Sequence, residues 1–257
     1  MTKKTLNLLI PVAVVLAAGV VAALLFLHQG PAKKGKATDT ALFIEHHELI
    51  EAVPSDAAIV FCMKDFGRAR DLLCDTVAVF RELTSRKFDF LATESFQSFR
   101  KYPAIISIHY SKDMPPLMVV KDPLEAADST GRDFGRLKAA ADTAGLFTKV
   151  SGNLLLISSS ETIISSSIRH MREGHSVLEA KGFSEISSRV TGSDIIFASN
   201  SYTDNILETY FARKYRKTGS FFKELAGWTA FSITKHTPGE VAMTGDLLYG
   251  SDPAYYM

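Results

Sequence analysis

The first long apolar stretch of the chain runs from Leu8 to Leu27: 20 residues without a charge, interrupted only by Pro11 and Gly19. At about 1.5 Å per residue, a helix of that length reaches about 30 Å, the depth of a bilayer's hydrocarbon layer. A cleaved secretory signal has a shorter apolar core, about 7–15 residues, and a small-x-small cleavage site. This run is longer and no convincing site follows it. The pattern therefore predicts an uncleaved transmembrane anchor over residues 1–27, with a cleaved signal and a buried soluble helix as the competing readings. From His28 to Thr40 (HQGPAKKGKATDT) there is no apolar period, which predicts a flexible linker over 28–40.

Beyond the linker the pattern alternates between helical and strand periods. Leu42, Phe43, His46, Leu49, Ile50 and Val53 fall at helical spacing and predict a helix over 40–52, ended by Pro54. Ala57–Met63 (AAIVFCM) is a continuous apolar run, the signature of a strand buried on both faces. Phe66, Ala69, Leu73, Val77 and Phe80 predict the next helix, and a short one follows near Thr93–Tyr102. Ala104–Tyr110 and Leu117–Lys121 read as two strands joined by a turn with Pro115 and Pro116. A helix near Arg132–Thr143 precedes a hairpin, Leu146–Val150 with Asn153–Ser158, across Ser151-Gly152. Glu161–Arg172 and Phe183–Val190 are predicted helical, and Asp194–Ser199 a strand. Ile206, Leu207, Tyr210, Phe211 and Tyr215 predict a later helix, Phe221–Ala226 a short one, and Thr229–Lys235 with Glu240–Tyr249 a closing hairpin.

Strands and helices mixed in this way, with several tight hairpins, predict an α+β fold over residues 41–257 with a mixed or antiparallel sheet and flanking helices. Ser55-Asp56-Ala57-Ala58-Ile59-Val60-Phe61 is similar to Ser193-Asp194-Ile195-Ile196-Phe197. Each opens a buried strand that leads into a helix and then a strand pair. Two related β-α-β-β units, near 55–121 and 193–249, account for this as well as chance similarity of two buried strands does. The chain ends on an apolar run, Ala254-Tyr255-Tyr256-Met257. A terminus is rarely left apolar unless it is docked, so either a last strand packs back or the chain is a piece of a longer protein.

Composition and charge narrow the function classes. Of 257 residues, 46% are hydrophobic and 22% charged, which fits an ordered globular body. Residues 1–40 hold five lysines against one acid, leaving 24 basic and 27 acidic residues in the remainder. A slightly acidic body argues against nucleic acid as a partner. Lys3 and Lys4 precede the apolar run, and Lys33, Lys34 and Lys36 follow it, so the positive-inside bias is nearly balanced. A very short N-terminal tail usually stays cytoplasmic, which predicts an extracytoplasmic body; an inward-facing body is the competing topology.

No catalytic constellation stands out. His46, His47, Glu48 and Glu51 cluster, but adjacent helical histidines point about 100° apart and cannot share one metal ion. His170 and His175 flank Gly174 at a helix end, where imidazoles suit the carbonyl terminus. Ser158, Ser159 and Ser160 precede a helix and read as its cap, with neither Gly-x-Ser-x-Gly nor Ser-x-x-Lys around them. No pattern calls for a cofactor or a metal. Cys62 and Cys74 could pair outside the cytoplasm or stay as buried thiols. Arg213, Lys214, Arg216 and Lys217, beside Tyr210 and Tyr215, form the body's basic cluster. It suits an anionic surface such as lipid headgroups, cell-wall polymer or an acidic partner, or else is the solvated face of a helix.

The chain resembles a family of membrane-anchored bacterial proteins that carry an uncharacterised extracytoplasmic domain, one of unknown function. The resemblance rests on the apolar span, on Val53-Pro54-Ser55-Asp56-Ala57-Ala58 opening the first strand, on Gly152–Glu161 (GNLLLISSSE), and on Phe183 followed by Asp194–Ser199. It covers roughly residues 50–235 and carries over no catalytic residues. The reading as a whole is a single-span cell-envelope protein with a binding or scaffolding role, periplasmic in a Gram-negative cell. The lipid bilayer is its first partner, through Leu8 to Leu27, and an envelope protein or polymer its second. The alternative is an extracytoplasmic hydrolase whose site is assembled from scattered residues.

Overall fold

The computed structural model describes residues 48–76, 89–97, 99–110, 114–121, 130–190, 192–202, 227–237 and 240–247. Eight strands form one sheet: β1 (Ala57–Met63), β2 (Ala104–His109), β3 (Pro116–Lys121), β4 (Phe147–Ser151), β5 (Leu154–Ser158), β6 (Ile195–Ser199), β7 (Trp228–Thr237) and β8 (Glu240–Leu247). Their order is β4-β5-β3-β2-β1-β6-β7-β8, and every neighbouring pair is antiparallel. Of the mixed or antiparallel sheet expected from sequence, the antiparallel form is the one present. The hairpin connections and the return of the chain to β1 through β6 produce it without a parallel crossover. The order is symmetric about the central β1–β6 pair, with β2 and β3 on one side and β7 and β8 on the other. The β4–β5 hairpin extends the β3 side.

Helices cover both faces, which is why antiparallel strands here read as unbroken apolar runs. On one face lie α1 (Phe66–Arg70), a π-helical turn (Asp71–Thr76), a 3₁₀ turn (Asp89–Ala92), α2 (Glu94–Gln97) and α3 (Thr130–Thr143). Phe66, Leu72, Phe96 and Leu137 pack there on Phe61, Ile106, Met118 and Leu155. The other face carries Leu49 to Val53, α4 (Glu161–Glu173), a 3₁₀ turn (Val177–Glu179) and α5 (Phe183–Ser187). Ile164, Phe183 and Ile186 pack there on Val60, Ile105, Leu156 and Phe197. Strands β2 and β5 are buried at every position, whereas edge strand β4 is partly exposed.

Local chemistry ends these elements where the periodicity stops. Asp65 caps α1 by accepting the Arg68 N–H at 2.9 Å. Gly174, at φ 71°, closes α4 in the left-handed conformation that costs glycine nothing. Gly152, at φ 59°, turns the β4–β5 hairpin. Residues 48–51 are helical, as the spacing predicts. Ala52 is in a turn, so the helix ends one residue before the predicted boundary; residues 40–47 of that helix, the anchor, the linker, the helices at 206–215 and 221–226, and the apolar terminus lie outside the described residues. Among the described residues no helix is long and apolar enough to cross a membrane.

Candidate functional site

Ser107 and His109 are the two polar interruptions of the apolar strand β2. Two residues apart, they point to one face, that of Val60, Ile105 and Leu117. Ser107 stands in register with Val60 on β1 and Leu117 on β3, and is fully buried. A bulge at Ala58 shifts the start of β1 so that Ala57 pairs with His109. That shift brings Asp56, just outside the strand, onto the imidazole. His109 Nδ1 lies 3.0 Å from Asp56 Oδ1, and His109 Nε2 lies 3.0 Å from Ser107 Oγ. A carboxylate only accepts, so Nδ1 carries the hydrogen; in the neutral ring Nε2 then accepts from the serine hydroxyl.

The order Ser–His–Asp is that of a hydrolytic triad. What differs is access. Ser107 has 0% exposure and His109 1%, while the Asp56 side chain is 54% exposed. The acid faces solvent and the hydroxyl is sealed in the core, the reverse of what a nucleophile needs. The arrangement satisfies two buried polar side chains by linking them to a surface carboxylate.

The hydrogen bond from His109 holds the Asp56 carboxyl below its ordinary range, opposed by partial burial and helped by the positive potential of His109 and then His170. A carboxylate with a depressed native pKa contributes stability that is present above the unfolded value and lost as pH falls through the native one. Wild type is therefore expected to lose stability on acidification below the ordinary carboxylate range more steeply than Asp56→Asn. Urea midpoints measured down through that range check this; parallel acid limbs would refute it.

A second buried polar cluster lies at the opposite end of the central strands. Asp194, 4% exposed, accepts the Lys64 N–H at 3.0 Å through Oδ1 and faces Arg68 Nε at 3.2 Å through Oδ2. Back at the Asp56 end, just beyond β6, Asn200 exchanges side-chain hydrogen bonds with Thr229. Among the described residues no group of His, Cys, Asp and Glu is placed to hold a metal ion.

The residues singled out from sequence fare differently. Ser160 occupies the N-cap of α4, but its side chain makes no capping bond; Ser158 Oγ instead accepts the Ser160 N–H at 3.0 Å and donates to Pro116 O at 2.6 Å. The serine run thus supplies the cap position, as the sequence reading has it, but not the side-chain bond of a cap. His170 gives the helix end its backbone carbonyl rather than its ring: Gly174 and His175 donate to that carbonyl, and the buried Nδ1 has no partner among the described residues. Glu48 pairs with Lys121 at 2.6 Å. His46, His47, Arg213, Lys214, Arg216 and Lys217 lie outside the described residues.

Cys62 and Cys74 carry thiols and no disulfide joins them. Cys62 packs in the layer of Val60 and Ile105 and Cys74 in the layer across the sheet, so their β-carbons cannot approach. Of the two readings left open by sequence, pairing is ruled out. Burial pushes the Cys62 thiol up to about 12. Iodoacetamide is expected to label Cys74 at least ~10-fold faster than Cys62 in the native chain, and both alike in urea. An intramolecular disulfide formed by mild oxidation of native protein would refute the placement.

The Ser107–His109–Asp56 chain was not visible as a unit in the sequence. Its one local trace is the pair of polar residues at strand period within Ala104–Tyr110; the third member comes from β1 through the bulge. Comparison with protein-family models, with curated proteins and with solved structures finds no significant match.

Proposed function

We propose that this chain is a membrane-tethered, extracytoplasmic binding or scaffolding module of the cell envelope. The tether is the 20-residue apolar run Leu8–Leu27, long enough to span hydrocarbon. The resemblance to anchored bacterial proteins of unknown function supports the same placement. The body is read as two related β-α-β-β units. The matching Ser-Asp openings of β1 and β6 and the symmetric strand order support that reading.

The single observation that carries binding over hydrolysis is the complete burial of Ser107. Acyl transfer needs a hydroxyl within reach of a carbonyl, with donors poised around the developing oxyanion. Ser107 instead lies between β1 and β3, sealed from solvent. A second reading, an extracytoplasmic serine hydrolase, is favoured by the 3.0 Å spacings of the triad order.

Two measurements test these readings. Protease added to cells with opened outer layers should digest the body while an apolar membrane fragment survives. Protection of the body refutes the topology. A fluorophosphonate probe should leave Ser107 unmodified in the native chain. Labelling that disappears in Ser107→Ala would establish the hydrolase instead.

A further inference from the structure

We propose that the Asp56 end of the sheet is a seat for a guanidinium group supplied from outside the chain. The inference names a ligand chemistry for the binding module and rests on that reading.

It starts from two aspartates in matching places. Because β1 and β6 pair antiparallel at the centre of the sheet, Asp56 precedes β1 where β6 finishes, and Asp194 precedes β6 where β1 finishes. Each follows a serine, Ser55 or Ser193. The chain closes Asp194 itself: Arg68 supplies a guanidinium at 3.2 Å, Lys64 a backbone N–H at 3.0 Å, and the side chain is 4% exposed. Asp56 is treated differently. It is 54% exposed, its partner is His109, and among the described residues no lysine or arginine pairs with it.

Asp56 is nonetheless rigidly held. The Ser107 hydroxyl fixes the His109 ring, His109 fixes Oδ1, and Oδ2 makes no side-chain bond within the described residues. Tyr110 and Tyr202 stack at the same end, with ring centroids 5.9 Å apart and 27° between planes, and Tyr110 is 43% exposed. The Asp56 charge reaches Tyr202. His170, from α4, acts on Asp56 through charge. A fixed carboxylate at the same end as a partly exposed tyrosine pair suits a planar, delocalised cation, which forks onto a carboxylate and stacks with aromatic rings. Arg68 on Asp194 is the same carboxylate–guanidinium pairing made within the chain. The guanidinium could come from a free small molecule or from an arginine side chain of a partner protein, and the test separates these sources.

The test uses the full chain in non-ionic detergent with ¹³C-labelled tyrosine rings. Ethylguanidinium is expected to shift the Tyr110 and Tyr202 ring signals saturably, and uncharged ethylurea to leave them in place. Asp56→Asn should weaken binding about tenfold, the scale of one charge-assisted pair; Asp194→Asn should leave it unchanged. A Gly-Arg-Gly peptide that binds much more tightly than ethylguanidinium assigns the seat to a partner's arginine; equal affinity assigns it to a free guanidino compound. The absence of a saturable shift with either cation, or undiminished binding by Asp56→Asn, overturns the proposal. Should Asp56→Asn fail to fold, the ethylguanidinium and ethylurea comparison on wild type still decides. A protease result that places the body outside the membrane, together with silent tyrosine signals, would sink the guanidinium seat and leave the tethered module standing.

Discussion

Replacing Phe183 with alanine is expected to destabilise the fold by about 3–5 kcal/mol, the range for emptying a buried aromatic site. Phe183 is 0% exposed and opens α5, a helix of only five residues. Its ring lies 4.9 Å from Phe197 on β6, tilted by 51°, and 4.9 Å from Trp228 on β7, edge-on at 81°. So short a helix has little stability of its own; its place is set by the side chains it buries. Losing the ring leaves a cavity between the helix and two strands, which can collapse only if α5 moves. Urea unfolding should show a lower midpoint at unchanged slope. Phe183→Leu, which refills most of the volume, should recover more than half of the loss. A loss below about 1 kcal/mol would mean that α5 does not dock where its rings place it, since large effects need a mechanism of this kind.

The second large effect is expected at His109. His109→Ala should cost about 2–4 kcal/mol, from a cavity and from a Ser107 hydroxyl left without its acceptor in the core. The orphaned hydroxyl makes a specific prediction. Adding Ser107→Ala to His109→Ala should cost less than Ser107→Ala costs alone, because the second change removes a group that the first has stranded. The double-mutant cycle should therefore show coupling of about 1 kcal/mol. Strict additivity would mean that the two side chains do not share the 3.0 Å bond seen between them. Circular dichroism and urea midpoints for the four proteins supply the cycle.

These experiments separate two parts that one arrangement of residues could play. If Ser107, His109 and Asp56 serve to satisfy and brace each other, variants move stability and the charge presented at the surface. If they serve acyl transfer, Ser107→Ala removes a probe-reactive group while the fold stays intact. The 0% exposure of Ser107 favours the first outcome.

The elements themselves were legible from residue pattern. Ala57–Met63, Asp194–Ser199 and the Asn153–Ser158 hairpin arm were read as strands within a residue or two of where they lie. A strand covered on both faces must be apolar at successive positions, and that requirement is written locally. The same holds for α4, whose period ends at Gly174. What could not be read locally was which strand lies beside which. The wholly antiparallel order depends on pairings between residues far apart in the chain, such as Cys62 with Ile195.

The site followed the same division. Sequence alone determined that Ser107 and His109 face one way, since side chains alternate along a strand, and that Asp56 stands at the mouth of β1. Only the tertiary structure decided that they meet, because one extra residue at Ala58 and the β1–β2 register bring the carboxylate to the ring. It also decided that Cys62 and Cys74 lie on opposite sides of the sheet, and that one of two similar aspartates is closed by Arg68 while the other faces solvent. Periodicity is a property of neighbours along the chain. Contact, access and charge pairing are properties of neighbours in space, and packing alone brings those together.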